Sequence, residues 1–120
     1  MIRLERVVLR EIRLPLKEPF RISSGVVTDR RILLLELHTA DGVRSWSECV
    51  AGEKPNYSPE TIDTAWLALH AWLAPKLLGE LLEGPADAHA RMESDVRGHR
   101  MAKAALEMGL WGLLAEQEGV

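Results

Sequence analysis

Four histidines stand at positions 38, 70, 89 and 99, none spaced as a metal-binding pair on one helix face. A structural or catalytic metal needs several convergent Cys, His or carboxylate ligands, so scattered imidazoles define no such centre. His70 interrupts an apolar helical stretch, where a partly buried, hydrogen-bonded histidine is expected rather than a ligand. Glu48 and Glu53 flank the end of an extended segment. Two carboxylates can share acid/base work, but without partners nearby they read as solvated loop charges. Cys49, the only cysteine, lies on a strand beside Glu48 and reads as a buried structural thiol, because a nucleophile needs an electropositive, accessible setting. No phosphate-loop, dinucleotide or H-E-x-x-H pattern is present. Trp46, Trp66, Trp72 and Trp111 are expected in the core, since an acidic chain is a poor platform for stacking nucleic-acid bases.

Two segments suit binding better than catalysis. Residues 17–28 hold Phe20, Ser23, Ser24 and Gly25, and residues 50–58 hold Gly52, Asn56 and Tyr57. Both read as loops that leave a sheet through turn-forming residues and could lie side by side at one end of it.

The elements that must carry them follow from periodicity. Ile2, Leu4, Val8, Ile12 and Leu14 recur at even spacing, with Val7 and Leu9 on the other face, which predicts a long strand over 2–14. Pro15 and Pro19 are expected to end it. Ile32 to His38 is an apolar run that becomes alternating; Asp41-Gly42 then predicts a two-residue hairpin turn into a strand over 43–50. Ser58 and Pro59 suggest the start of a helix with Ile62, Trp66, Leu69 and Leu73 as its buried stripe. Pro75 should kink or restart that helix, and Gly79 should close it. A short helix follows around Asp87 to Asp95. The last helix begins near Gly98, with Met101, Ala104, Ala105, Met108, Trp111 and Ala115 on one face. Gly109 and Gly112 each cost about 1 kcal/mol inside a helix, so close approach to another element is expected there. Strands first and helices second give an α+β fold: a three-stranded antiparallel sheet followed by a helical bundle.

Composition sets the bounds. The chain has 120 residues, 47% hydrophobic and 28% charged, with net charge −3. This suits one globular domain and excludes a disordered tail or a strongly basic nucleic-acid footprint. The charged N-terminus is unlike a signal peptide, and no apolar run approaches the ~20 residues of a membrane helix. The expectation is a cytoplasmic protein with no nucleic-acid or membrane partner. A complete (β/α)8 barrel, at about 250 residues, does not fit in this length.

The series Leu14-Pro15-Leu16, Pro19-Phe20-Arg21, Ser23-Ser24-Gly25, Trp46-Ser47-Glu48-Cys49-Val50 and Tyr57-Ser58-Pro59-Glu60 resembles the N-terminal capping domain of the enolase superfamily. Gly98 to Met108 resembles the helix entering the barrel in the o-succinylbenzoate synthase and N-acylamino acid racemase branch of the muconate-cycloisomerase-like subgroup. The resemblance covers essentially the whole chain. It implies a capping domain over 1–97 and, over 98–120, a helix leading into a catalytic barrel absent from this chain. It places Phe20, Ser23, Ser24, Gly52 and Tyr57 in two loops that cover the substrate.

The family chemistry so implied is Mg2+-dependent abstraction of a proton α to a carboxylate, here dehydration to o-succinylbenzoate in menaquinone biosynthesis. Its lysines and metal ligands belong to barrel strands beyond Val120, so no catalytic or metal-binding residue is expected in this chain. Lys103 lies in a different motif, and the chain alone is expected to be inactive. Small residues at Ser24 and Gly52, where racemase relatives tend to carry larger apolar ones, favour the synthase. The racemase, or another activity of the subgroup, is the nearest alternative; from a different class, a stand-alone domain for binding or self-association remains. Partners implied are a small carboxylate substrate once a barrel is present, and a second copy in a homo-oligomer. Part of the last helix's close-packing face is expected to meet structure outside the chain.

Overall fold

The computed structural model describes residues 1–22 and 25–120, with side chains at all of these except 19, 20, 22 and 27. Strand β1 (Ile2–Ile22) pairs antiparallel with β2 (Gly25–Thr39), and β2 pairs antiparallel with β3 (Arg44–Cys49). Helix α1 (Ile62–Ala68) continues through a π-helical turn (Leu69–Leu73) into α2 (Ala74–Leu77). Strand β4 (Leu81–Leu82), helix α3 (Pro85–Glu93) and helix α4 (Arg100–Glu118) complete the chain.

The sheet therefore has four strands, in the order β3-β2-β1-β4, rather than the three expected. Gly79, at φ +79°, reverses the chain after α2, and its N–H donates to the Leu4 carbonyl at 2.9 Å. That reversal lays Leu81–Leu82 against Ile2–Arg3 and buries Leu82. A two-residue strand has no period to detect, which is why the sequence pattern misses it.

The two prolines do not end β1. The ladder breaks between Pro15 and Phe20 and resumes with Phe20 opposite Val27, so Pro19 falls where no ladder donor is needed. Residues 17–28 are thus not a loop but, on both sides of 23–24, the far end of a long hairpin arm. The β2–β3 connection is also longer than expected: Ala40, Asp41 and Gly42 lie between Thr39 and Val43, whose backbones bond at 2.9 Å, with Gly42 at φ +92°. A positive-φ glycine closing a three-residue loop preserves strand register.

Helix α1 starts at Ile62, not near Pro59. Thr61 caps it: its hydroxyl accepts from Thr64 N–H at 3.1 Å while Thr64 Oγ1 accepts from Thr61 N–H at 2.8 Å. Ser58 instead accepts from Glu60 N–H in a local turn. Pro75 sits in the first turn of α2, where the α-helix resumes after the π turn, in keeping with the expected restart. Because proline lacks a donor and crowds the carbonyl four residues back, the preceding turn widens to the π form, with Ala74 N–H reaching the Leu69 carbonyl.

One core forms between the sheet and the helices. Leu33, Leu35 and Leu37 of β2 point into it, joined by Ile2, Leu4, Ile62, Leu69, Leu73, Leu77, Met92, Leu106 and Leu110. Trp66 does not belong to it, although Ile62, Leu69 and Leu73 of the expected stripe do. All four tryptophans are 39–55% exposed, so the expected aromatic core is replaced by a leucine one.

Helix α4 is rotated relative to the expected face. Its buried side carries Ala102, Ala105, Leu106, Gly109, Leu110 and Leu113, while Ala104, Met108 and Trp111 face solvent. The small residues set that choice, because they let the helix reach the sheet. A Cβ on Gly109 would lie 2.7 and 2.8 Å from the two methyls of Leu37, and one on Gly112 would lie 3.0 Å from Ser45 Cβ. The close-packing face therefore meets β2 and β3 of this same chain. Ser45 and Ser47, two apart on the inner side of β3, donate to the carbonyls of Gly109 at 2.6 Å and Ala105 at 2.7 Å.

Candidate functional site

The segment after β3 leaves the sheet at Cys49 and returns to the fold at once. Ile62 N–H donates to the Gly52 carbonyl at 2.8 Å, and Gly52 forms a parallel bridge with Thr61. Residues 53–60 are thereby pinched into a loop with closed ends. Tyr57 stands at its outer part, 93% exposed. Gly52 is not held there by backbone geometry: it has no positive φ, and an added Cβ would meet only the Lys54 carbonyl, at 4.0 Å. Its missing side chain is therefore a matter of space in front of the loop.

Ionic contacts tie this loop to the hairpin arm. Arg13 of β1 donates to Asp29 of β2 at 2.7 Å and stands 3.8 Å from Glu53. Arg31 reaches Glu11 at 2.6 Å and Asp63 at 2.8 Å, joining both arm strands to α1. The Arg31 guanidinium in turn holds the Asp63 carboxyl below the usual carboxylate range. Glu48 takes Arg30 as its partner at 3.8 Å. Glu48 and Glu53 thus each face an arginine, which suits positioning rather than proton transfer.

The expected site residues are brought together only in part. Gly52 and Tyr57 share the closed loop. The Phe20 backbone lies on the arm, four β2 residues past the Arg31 level, or about 13 Å by strand rise. The Phe20 side chain, Ser23 and Ser24 lie outside the described residues. What sequence reasoning missed is Arg13, the residue that touches both segments. One arginine among the several charged residues of β1 gives no distinguishing signal until register places it opposite Arg31 and beside Asp29.

The loop's other end anchors α4. The Glu60 carboxylate accepts from Met101 N–H at 2.8 Å and from Ala102 N–H at 3.2 Å. It caps a helix whose own N-cap residue, His99, supplies no side-chain bond. Cys49 is buried close by; burial first, and then Glu60 and Glu48, push its thiol pKa up, which suits a structural role. Lys103 is buried at 3% exposure with its ammonium 3.0 Å from Glu93 and bonded to the Val96 carbonyl. That position makes it a tether between α3 and α4. His70 is exposed rather than partly buried, and His38 lies 2.8 Å from the Glu36 carboxylate. Among the described residues no three His, Cys, Asp or Glu side chains cluster as a metal site.

A long antiparallel arm, a pinched loop and a helical layer closed by a small-faced helix define an α+β domain. Residues 4–120 match the family described as the N-terminal domain of mandelate racemase and muconate lactonizing enzyme, and the chain belongs to that family. It is 40% identical over 119 residues to o-succinylbenzoate synthase of Geobacillus kaustophilus, covering 99% of this chain and 32% of that protein. It is also 40% identical over 108 residues to N-succinylamino acid racemase of Amycolatopsis sp, covering 90% of this chain and 29% of that protein. Among solved structures, an enolase-superfamily member from Listeria innocua superposes with TM-score 0.90 at 29% identity, over 98% of this chain and 31–32% of such relatives' length. The chain spans about a third of the length of the curated relatives it matches.

Proposed function

We propose that this chain is the N-terminal specificity domain of an o-succinylbenzoate synthase-like enzyme. The observation that carries the reading is 40% identity to such a synthase across 99% of the chain. In this reading residues 1–97 cover the substrate and 98–120 lead onward into a barrel. The hairpin arm, with Phe20, Ser23 and Ser24, and the loop bearing Gly52 and Tyr57 line the outer part of a pocket for a small carboxylate. Arg13 holds arm and loop in one geometry, so that they exclude water together. The barrel supplies the lysines and the Mg2+ for proton abstraction α to the carboxylate. The enzyme is cytoplasmic and homo-oligomeric. A second reading, N-succinylamino acid racemase, is favoured by the equal identity to the Amycolatopsis protein.

Kinetics separate the two. The polypeptide carrying these residues, with whatever its natural gene encodes after Val120, is assayed with Mg2+ for o-succinylbenzoate formation and for N-succinylamino acid racemisation. The synthase should show the higher kcat/KM. Gly52→Leu, which the open space in front of Gly52 admits without unfolding, should raise KM for the synthase substrate. A faster racemisation would transfer the assignment to the second reading. Turnover of either substrate by the 120-residue chain alone would overturn both.

A further inference from the structure

A cavity of about 480 Å³ opens between the π-helical turn with α2 on one side and the α3–α4 connection on the other. Trp72 and Pro75 form its apolar wall, and Lys76, Asp95, Arg97 and His99 supply its polar groups. It shares no lining residue with the arm or the closed loop. Its volume is in the range of small-molecule sites, which join an apolar wall to a few convergent polar groups.

Three observations set it apart from an ordinary crease. First, the π turn that Pro75 imposes places Trp72 on the cavity wall beside that proline. Second, His99 stacks obliquely on Trp72, with ring centroids 5.7 Å apart and planes at 54°, from a backbone at φ +50°. It is the only residue other than glycine with positive φ among those described, and such strain persists where a side chain must be aimed. Its Nδ1 is buried without a hydrogen-bond partner among the described residues.

Third, the cations are underused. Lys76 has only Asp95, at 3.9 Å, and that carboxylate is itself highly exposed. Arg97 makes no ion pair with any described residue. Two cations against one loosely held carboxylate leave the cavity with net positive charge. A ligand carboxylate can replace Asp95 at the ammonium and engage the free guanidinium, and a flat apolar body fits against the indole.

We infer that this cavity is a second binding site, for a small organic anion that joins a carboxylate to a planar apolar group. Trp72 supplies the stacking wall, and Lys76 and Arg97 supply the charge.

Benzoate, benzamide and acetate serve as probes against the full chain, followed by the indole N–H resonance of Trp72, assigned by its loss in Trp72→Phe. Benzoate should shift that resonance saturably. Benzamide, which lacks the charge, and acetate, which lacks the ring, should each bind about tenfold more weakly or worse. Lys76→Met with Arg97→Gln should abolish the benzoate shift while leaving the thermal midpoint within about 2 °C, as expected for surface substitutions. No saturable shift, equal affinity for benzamide, equal affinity for acetate, or unchanged binding by the double variant would each overturn the inference.

Discussion

Gly109→Ala tests how closely α4 packs on the sheet. In an isolated helix the change would stabilise by about 1 kcal/mol. Here the new methyl carbon would stand 2.7 and 2.8 Å from the Leu37 methyls and 3.3 Å from its Cγ, whereas carbon atoms in contact prefer about 3.5–4.0 Å. Leu37 is fully buried and has no solvent to swing into, so the helix must lift or the leucine must leave its rotamer. Overpacking of this kind costs about 1–3 kcal/mol. Lifting α4 also lengthens the 2.6 Å bond from Ser45 to the Gly109 carbonyl, a contact worth about 1 kcal/mol. The net expectation is destabilisation by about 1–3 kcal/mol, or roughly 4–12 °C in Tm.

Urea unfolding followed by far-UV circular dichroism reads this as a lower midpoint at constant slope. Leu37→Ala alone should cost about 2–5 kcal/mol. Added to it, Gly109→Ala should turn stabilising, because the methyl enters vacated space and the helix-propensity gain is unmasked. The sign reversal gives a coupling energy of at least ~2 kcal/mol between the two positions. A stabilising Gly109→Ala in the natural background, or the same cost with and without Leu37, would refute the close-packing argument.

Glu60→Ala should cost about 1–2 kcal/mol by uncapping α4, and Glu60→Gln, which keeps an acceptor, clearly less; equal losses would mean that charge alone matters. The Lys103 ammonium, by its hydrogen bond, lowers the Glu93 pKa from 4.5. Stability from this pair is therefore fully present above pH 4.5 and lost as pH falls through the lower folded value. Glu93→Gln should flatten the stability profile below pH 4.5, and an unchanged acid limb would show that the pair contributes nothing. Iodide should quench fluorescence from all four tryptophans in the folded chain, since each is at least 39% exposed; a protected fraction would mean that association covers one of these faces.

The features legible in the sequence are those that repeat. Leu33, Leu35 and Leu37 alternate over enough positions to declare β2, and Ile62, Leu69 and Leu73 hold their helical stripe. Features set by contact across the chain were not legible. The face of α4 was misjudged because Met108 and Trp111 look like core residues by type. The selecting contact, Gly109 against Leu37, joins residues 72 apart. Pro15 and Pro19 read as stops because nothing local shows that the ladder resumes at Phe20 opposite Val27. At the candidate site the closed loop that holds Gly52 and Tyr57 is legible from its turn-forming residues. Arg13 was not, since its role exists only once Asp29 and Glu53 converge on it.

The docking of α4 also orders events on the ribosome. Part of the inner face of β2 and β3 is covered by residues made much later: Ala105, Gly109 and Leu113 follow Leu37 by 68 to 76 positions. At ~5–20 residues per second, roughly 4–15 s separate synthesis of Leu37 from that of Leu113. Until α4 is made, the Ser45 and Ser47 hydroxyls lack their helical acceptors and Leu37 lacks the helix face that packs on it. The nascent sheet is then the species most exposed to aggregation and to chaperones, and release of α4 from the exit tunnel is the step that ends its exposure.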